Sequence, residues 1–305
     1  MRRSVVAIGN FDGVHSGHQK LLATAVRRAA ELQIDDEPVP VVVVTFWPHP
    51  MSVVAPPGQA PLLLTSLQDR IDLLRRHGAD QVRVVQFTRE VASWSPEHFI
   101  ETILGPLKPV LVVVGQNFRF GKGAKGTPET MRLVGEGRFE VEVLTLTSVD
   151  SERTCSTLVR NALTRGDVAT AARHLGRPFR VRGVVVVGDQ RGRELGFPTA
   201  NMPVAPEMAT PADGVYAGWL RRLDQPAAPR LPAAISVGTN PTFNGLERRV
   251  ESHVLDRTDL DLYGVEIGVE FVEHLRGQIK FASVADLIAQ MTTDVVNTRR
   301  ALGVG

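Results

Sequence analysis

The feature that most constrains this chain is a change of period near its middle. Up to about residue 176, short valine-rich runs alternate with stretches of helical spacing; beyond it, strand-like runs follow one another, broken by Gly and Pro. The runs Val5–Ile8, Val39–Phe46, Val82–Phe87, Val110–Val114 and Val141–Leu146 are short and apolar, as expected of strands buried on both faces. Between them Gln19–Leu32, Leu67–His77, Pro96–Leu104 and Pro128–Gly135 have helical spacing. This alternation predicts an α/β domain: a parallel sheet with helices on its faces, binding ligands outside the carboxyl ends of its strands.

Thr157–Leu163 and Val168–Leu175 read as two short helices around Arg165-Gly166-Asp167, and the boundary is placed near Gly176, giving domains 1–175 and 176–305. The second half has strand-like runs at Arg180–Val187, Gly214–Leu220, Leu231–Val237, Arg249–Leu255 and Val265–Val272, which predict a small β-barrel or sandwich. A terminal helix follows. Ser283 and Asp286 form a cap signature, and Val284, Leu287, Ile288, Met291 and Val295 make a stripe expected to bury against the barrel.

Composition excludes more than it specifies. With 35 basic and 33 acidic residues in 305, net charge +2, no broad basic footprint for nucleic acid exists. No apolar run approaches the ~20 residues of a membrane span, and Val5–Ile8 is far shorter than a signal-peptide core. Cys155 is the only cysteine, so no intrachain disulfide can form and no cysteine zinc cluster exists. A cytoplasmic protein is expected, with neither nucleic-acid nor membrane partners; oligomeric state is left open.

The stretch GNFDGVHSGHQ, residues 9–19, sits between the first strand and an apolar helical stripe at Leu21, Leu22, Ala25, Val26 and Ala29. Ser16 and Gln19 match an S-x-x-Q capping box, which puts His18 in the first helical turn. A helix N-terminus favours an anion, and Gly9, Gly13 and Gly17 allow close backbone approach. A metal site is the weaker reading of His15 and His18: they stand three apart, His15 precedes the helix, and no third ligand is evident. GQNFRFGKG, residues 115–123, is not a P-loop, because its spacing fails and Gly123 follows Lys122 where a hydroxyl residue is required. It is nevertheless a Gly-rich loop after a predicted strand, at the binding edge. Ser156, Thr157 and Arg160 stand at a helix start, with hydroxyls and a planar guanidinium suited to phosphate. In FPTAN, residues 197–201, an extended backbone would put Thr199 and Asn201 on one face, with oxygens suited to a hard cation. In VESHVLD, Val250, Ser252 and Val254 alternate with Glu251, His253 and Leu255.

GNFDGVHSGH resembles the G-x-F-D-x-x-H-x-G-H signature of nucleotidylyltransferases. With TFWPHP (45–50), GQNFRFGKGAKGT (115–127), STLVR (156–160), GRELGFPTANM, VGTNPTF, VESHVLD, DLYG and KFASVADLIAQM in order, nearly the whole chain resembles the bacterial bifunctional riboflavin kinase/FMN adenylyltransferase (FAD synthetase) family. One departure is Cys155, where the family commonly has serine. The resemblance implies a Rossmann-like nucleotidylyltransferase domain followed by a riboflavin kinase barrel, with riboflavin, FMN, FAD and ATP as small-molecule partners and Mg2+ as cofactor. It implies ATP or phosphate contacts from Gly9, Phe11, Asp12, Gly17, Ser156 and Thr157, and from Gly188, Arg191 and Gly192 in GDQRGRELG. His15, His18 and Arg160 would stabilise charge during adenylyl transfer, and Asn117 would contact flavin. Thr199 and Asn201 would hold the metal with ATP, and Glu251 would be the base for the riboflavin hydroxyl. A flavin-binding regulator without turnover and a monofunctional enzyme are the rivals; intact polar residues at both sites speak against the first.

Overall fold

Ser4–Ile8 (β1) is five residues long and buried along its whole length. In the computed structural model, described over residues 3–34, 37–145, 148–149, 152–188, 192, 195–225, 227–242 and 245–305, β1 is the middle strand of a five-stranded parallel sheet. Its order is β3-β2-β1-β4-β5, with β2 Val41–Trp47, β3 Gln81–Gln86, β4 Pro109–Gly115 and β5 Glu140–Leu144. Because side chains alternate along a strand, Val5, Ala7, Val41, Val43, Leu111 and Val113 pack on one face against α1 (Ser16–Glu31) and α2 (Leu67–Arg76). Val6, Ile8, Val42, Val44, Val112 and Val114 pack on the other, against Phe99, Ile100, Leu104 and Met131 of the segment 96–107 and α3 (Pro128–Gly135). Each such buried Val, Ile or Leu side chain contributes roughly 1.5–3 kcal/mol. The strand order reverses direction between β1 and β4, so the carboxyl ends of β1, β2 and β4 open onto one crevice.

Three expectations change in this unit. Val82–Phe87 is a largely exposed edge strand, because β3 has a neighbour on one side only. Pro96–Leu104 is not one α-helix: four α-helical residues, Pro96–Phe99, pass into a π-helical turn at Ile100–Leu104. The cap of α1 is His15, not Ser16: its Nδ1 accepts from the His18 N–H at 3.4 Å, while Gln19 donates to the Val14 carbonyl.

The chain divides into compact units Met1–Ser156 and Thr157–Gly305; α4 (Ser156–Thr164) begins at that division, and α5 (Val168–Leu175) packs on the second sheet. That sheet is six-stranded and antiparallel, in the order β6-β11-β8-β9-β10-β7: β6 Phe179–Val184, β7 Ala200–Pro203, β8 Gly214–Arg222, β9 Leu231–Thr242, β10 Gly245–Val254 and β11 Glu266–Arg276. A bridge from Val186 to Asn201 brings the chain beyond β6 against β7 and nearly closes a barrel. Phe271 fills it, flanked by Phe179 and Tyr216 at 6.3 and 5.5 Å between ring centroids. The terminal helix α6 (Val284–Leu302) starts at Ser283 as expected, but its stripe is not buried as expected: Val284 and Ile288 are exposed. The helix is held lower down, by buried Asp294 accepting two-pronged hydrogen bonds from Arg276.

Candidate active sites

The first candidate site grows from the turn after β1. Phe11, Gly13 and Val14 all have positive φ (51°, 82° and 41°). For Phe11 and Val14 this is strained backbone that neighbouring contacts must hold. The Asp12 carboxylate does so: it is 1% exposed and accepts from the Leu64 and Thr65 backbone N–H groups, the Thr65 hydroxyl and the Arg70 guanidinium. Phe11 is wholly buried and Asp12 nearly so, and both side chains shape the turn. The His15 Nδ1 accepts from the His18 N–H, so the N–H of the neutral tautomer is on Nε2. A Cβ on Gly17 would stand 3.2 Å from that ring, so the bare backbone lets the imidazole lie against the first turn. His18 stacks on His15 at 3.7 Å between centroids and meets Phe11 edge-on at 5.0 Å. Although part of His18 reaches the surface, its Nδ1 is buried with no hydrogen-bond partner among the described residues. Burial first, then the charges of His15 and Arg70, hold this imidazole well below its ordinary value, so it is neutral at pH 7. Ser156 closes the site's floor, its hydroxyl donating to the Asp12 carbonyl at 2.9 Å.

Beside this turn lies a cavity of about 430 Å3, with Asn10 at one side and Asn117 at another. Its walls are aromatic: Phe46, Phe87, Phe99, Phe118 and Phe120 all line it, with Phe118 and Phe120 stacked 5.5 Å apart. Met51 and Val54, from a short helix that His49 caps through its Nδ1, form the exposed rim. Such a cavity suits a flat aromatic ring system.

The second site lies on the barrel. Thr199 and Asn201 come together as their spacing predicts, the Asn201 amide donating to the Thr199 hydroxyl at 3.3 Å. In the ladder Asn201 stands opposite Glu251, and Glu251 opposite Ser236, so these side chains share a face. His253 Nδ1 donates to the Pro198 carbonyl at 2.9 Å, fastening FPTAN to β10. Glu251 opens into a cavity of about 380 Å3, together with Asp213, Ser236, Arg249 and Gln278. Thr199 borders a separate, narrow cavity with Ser252 and Tyr263. Gly188 lies so close to Asn201 that a Cβ would sit 2.5 Å from its amide carbon, and a Cβ on Gly192 would meet the Phe197 carbonyl at 2.4 Å. The two glycines thus form a bare cradle over a set of hard oxygen donors. That set fits Mg2+, which takes one or two protein ligands and completes its shell with phosphate and water.

Profiles of two families match: FAD synthetase over residues 1–158 and riboflavin kinase over residues 175–302. A bifunctional riboflavin kinase/FMN adenylyltransferase of Escherichia coli K12 is 36% identical over 98% of this chain and 93% of its own. The protein of that name from Bacillus subtilis is 33% identical over 96% and 90%. The chain belongs to the bifunctional riboflavin kinase/FMN adenylyltransferase family. A solved structure from Streptococcus pneumoniae, described as a macrolide-efflux protein, superposes with a TM-score of 0.85 at 32% identity, over 97% of this chain and 94% of that one. Among the described residues, no helix of this chain is long and apolar enough to cross a membrane.

Within this family's pattern, the first unit gathers Gly9, His15, Gly17, His18 and Ser156 around one turn, with Asn117 across the neighbouring cavity. Thr157 and Arg160 follow on α4, just past the division into the second unit. Arg191 lies outside the described residues. Sequence reasoning missed Asn10, His49 and Arg70 in the first unit and Ser236 and Gln278 in the second. His49 had a visible signal, since a polar residue directly before Pro50 is a helix start. Arg70 had none: on sequence it is one more charge on an amphipathic helix.

Proposed function

We propose that the second unit phosphorylates riboflavin with Mg-ATP, giving FMN and ADP, and that the first joins FMN to the AMP part of a second ATP, giving FAD and pyrophosphate. The observation carrying the adenylyl-transfer reading is an anion-favouring helix start, with two stacked imidazoles, directly beside an aromatic-walled cavity. The flavin ring occupies that cavity, its phosphate turned toward the histidines, and Asn117 contacts it. The FMN phosphate oxygen attacks the α-phosphorus in line as the bond to the pyrophosphate oxygen breaks. His15 Nε2–H and the free N–H groups of α1 hydrogen-bond the charge that accumulates on the phosphates. His18 enters neutral, so it acts as a hydrogen-bonding group at first, and the incoming triphosphate favours its protonation.

In the kinase site Glu251 accepts the proton of the riboflavin 5′-hydroxyl as its oxygen bonds the γ-phosphorus and ADP leaves. Thr199 and Asn201 hold Mg2+ with ATP, and the backbone at Gly188 and Gly192 lies against the phosphates. When bound, the metal neutralises phosphate charge. We place the functional boundary near Gly176, supported by a riboflavin kinase profile that starts at residue 175. The single cysteine is consistent with the cytoplasm.

Incubating the protein with riboflavin and Mg-ATP and separating the flavins tests both halves. FMN followed by FAD is expected; unchanged riboflavin would leave a flavin-binding regulator, and FMN without FAD a monofunctional kinase. The double variant His15→Ala/His18→Ala should stop at FMN, and Glu251→Ala should leave riboflavin unphosphorylated while still converting supplied FMN.

A further inference from the structure

Arg70 is the largest fully buried side chain of the described residues, at 0% exposure. A guanidinium is kept out of water only where its donors are matched, because desolvating the charge is otherwise very costly. Here the fork reaches three separate pieces of chain. Nη2 lies 3.3 Å from Asp12 Oδ1 in the histidine-bearing turn. Nη1 donates to the Phe46 carbonyl at 3.2 Å, at the end of β2. Nε meets the Thr65 hydroxyl at 3.5 Å, just before α2, and the guanidinium carbon stands 5.5 Å from the Trp47 ring centroid.

Each anchor leads to a working part of the first site. Asp12 restrains a turn in which Phe11 and Val14 have positive φ, and the same residue's carbonyl accepts from Ser156. Gly13 N–H donates to the same Thr65 hydroxyl, so both sides of Asp12 are tied to one point. Two residues beyond Gly13, His15 caps α1 and carries His18 against it. Phe46 itself lines the aromatic cavity, and the chain after it runs to His49 and the rim residues Pro50 and Met51. Arg70 touches neither cavity nor histidine ring in any of these contacts.

We propose that Arg70 is a positioning residue for adenylyl transfer: from its buried seat it locks the histidine-bearing turn, through Asp12, to the strand end that forms the wall of the flavin cavity. The distance between the phosphate-handling imidazoles and the flavin seat is thereby set by one side chain. The proposal rests on the adenylyl-transfer reading of the first unit. A further consequence is electrostatic. The Arg70 charge is one of the influences, after burial and His15, that keep His18 neutral.

The test uses the full chain, because riboflavin phosphorylation in the other unit reports folding in the same preparation. Arg70→Lys keeps the charge and loses the three-way fork. It should lower kcat for FAD formation from FMN and ATP at least 10-fold, with smaller changes in KM, and leave riboflavin phosphorylation within twofold. Arg70→Met should lower FAD formation further. In a histidine-labelled NMR titration it should also move the His18 midpoint upward, while Arg70→Lys leaves that midpoint close to the parent's. A merely structural role would not sort the two variants by charge. FAD formation within twofold of the parent in Arg70→Lys would overturn the proposal. So would a parallel loss of both activities in that variant, since the defect would then be one of folding. Absence of FAD formation in the unaltered chain would instead refute the adenylyl-transfer reading itself, and the His18 titration would still report on Arg70.

Discussion

Gly188→Ala offers a sharp test of the kinase site, because the added methyl has one well-defined obstacle. Its Cβ would stand 2.5, 2.6 and 2.7 Å from Cγ, Nδ2 and Oδ1 of Asn201, where contacts of 3.4 Å or more are ordinary. The amide must therefore retreat by about 0.9 Å, or the segment carrying residue 188 must lift. Lifting is resisted by the Val186 N–H, which donates to the Asn201 carbonyl at 2.8 Å. Retreat of the amide breaks its hydrogen bonds to the Thr199 hydroxyl and carbonyl, both at 3.3 Å. Because lifting is resisted, the Thr199–Asn201 pair shifts by close to an ångström. Overpacking of this kind costs about 1–3 kcal/mol, and a misplacement of about 1 Å reduces rate up to about 100-fold. The expected result is a fall of about 10- to 100-fold in kcat/KM for Mg-ATP in riboflavin phosphorylation. Conversion of supplied FMN to FAD should stay at the parental rate, because that site lies in the other unit. One chromatographic assay of flavins reads both. Parental phosphorylation in Gly188→Ala would refute the cradle, and equal loss of both activities would show that the effect is not local.

The neutral His18 makes the first unit sensitive to acid. The unfolded chain takes up a proton near pH 6.5 that the folded site refuses until lower pH. Stability measured in urea should therefore fall as pH drops from about 6.5, and His18→Asn should flatten that slope. Asp167 caps α5 and its carboxyl is held below the usual range by the Thr170 hydroxyl and backbone N–H. Asp167→Ala should cost about 1 kcal/mol in thermal unfolding of the second unit, a contribution the parent keeps at neutral pH and loses on acidification below about pH 4. Arg276→Ala leaves the buried Asp294 carboxylate without its countercharge, held only by the Gln290 amide among the described residues, and should cost about 3 kcal/mol, with faster amide exchange in α6. Chelation with EDTA should stop riboflavin phosphorylation, and added Mg2+ should restore it.

Much of the architecture was legible because burial is written in period. β1 and β2 are short, apolar and buried on both faces, and both strands read directly from their valines. The same valine signal misled at β3, whose exposure depends on its place at the sheet's edge, a property of topology that a local window does not contain. The α6 stripe failed for a related reason. Spacing marks which residues share a face, whereas the Arg276–Asp294 pair decides which part of the helix is drawn down. At the candidate sites, motif order singled out Gly9–His18, Asn117, Thr199–Asn201 and Glu251, and the structure puts Asn117 on the aromatic cavity and Glu251 on a cavity of the barrel. The roles of Asp12 and Arg70 were hidden, because their partners lie tens of residues apart in the chain and meet only through the fold. The structure shows Asp12 as a restraint on the turn, through its hydrogen bonds to Leu64, Thr65 and Arg70.

The cap of α1 has a consequence for how substitutions at His15 are interpreted. Most helices begin on a serine, threonine or aspartate that does nothing else; this one begins on an imidazole to which we also assign a part in adenylyl transfer. Alanine at this position deletes two jobs at once, and its phenotype overstates the reactive one. Asparagine separates them, since its carboxamide oxygen takes over the cap while supplying no imidazole. The gap between the alanine and asparagine variants then measures how much of the apparent catalytic loss was only a frayed helix.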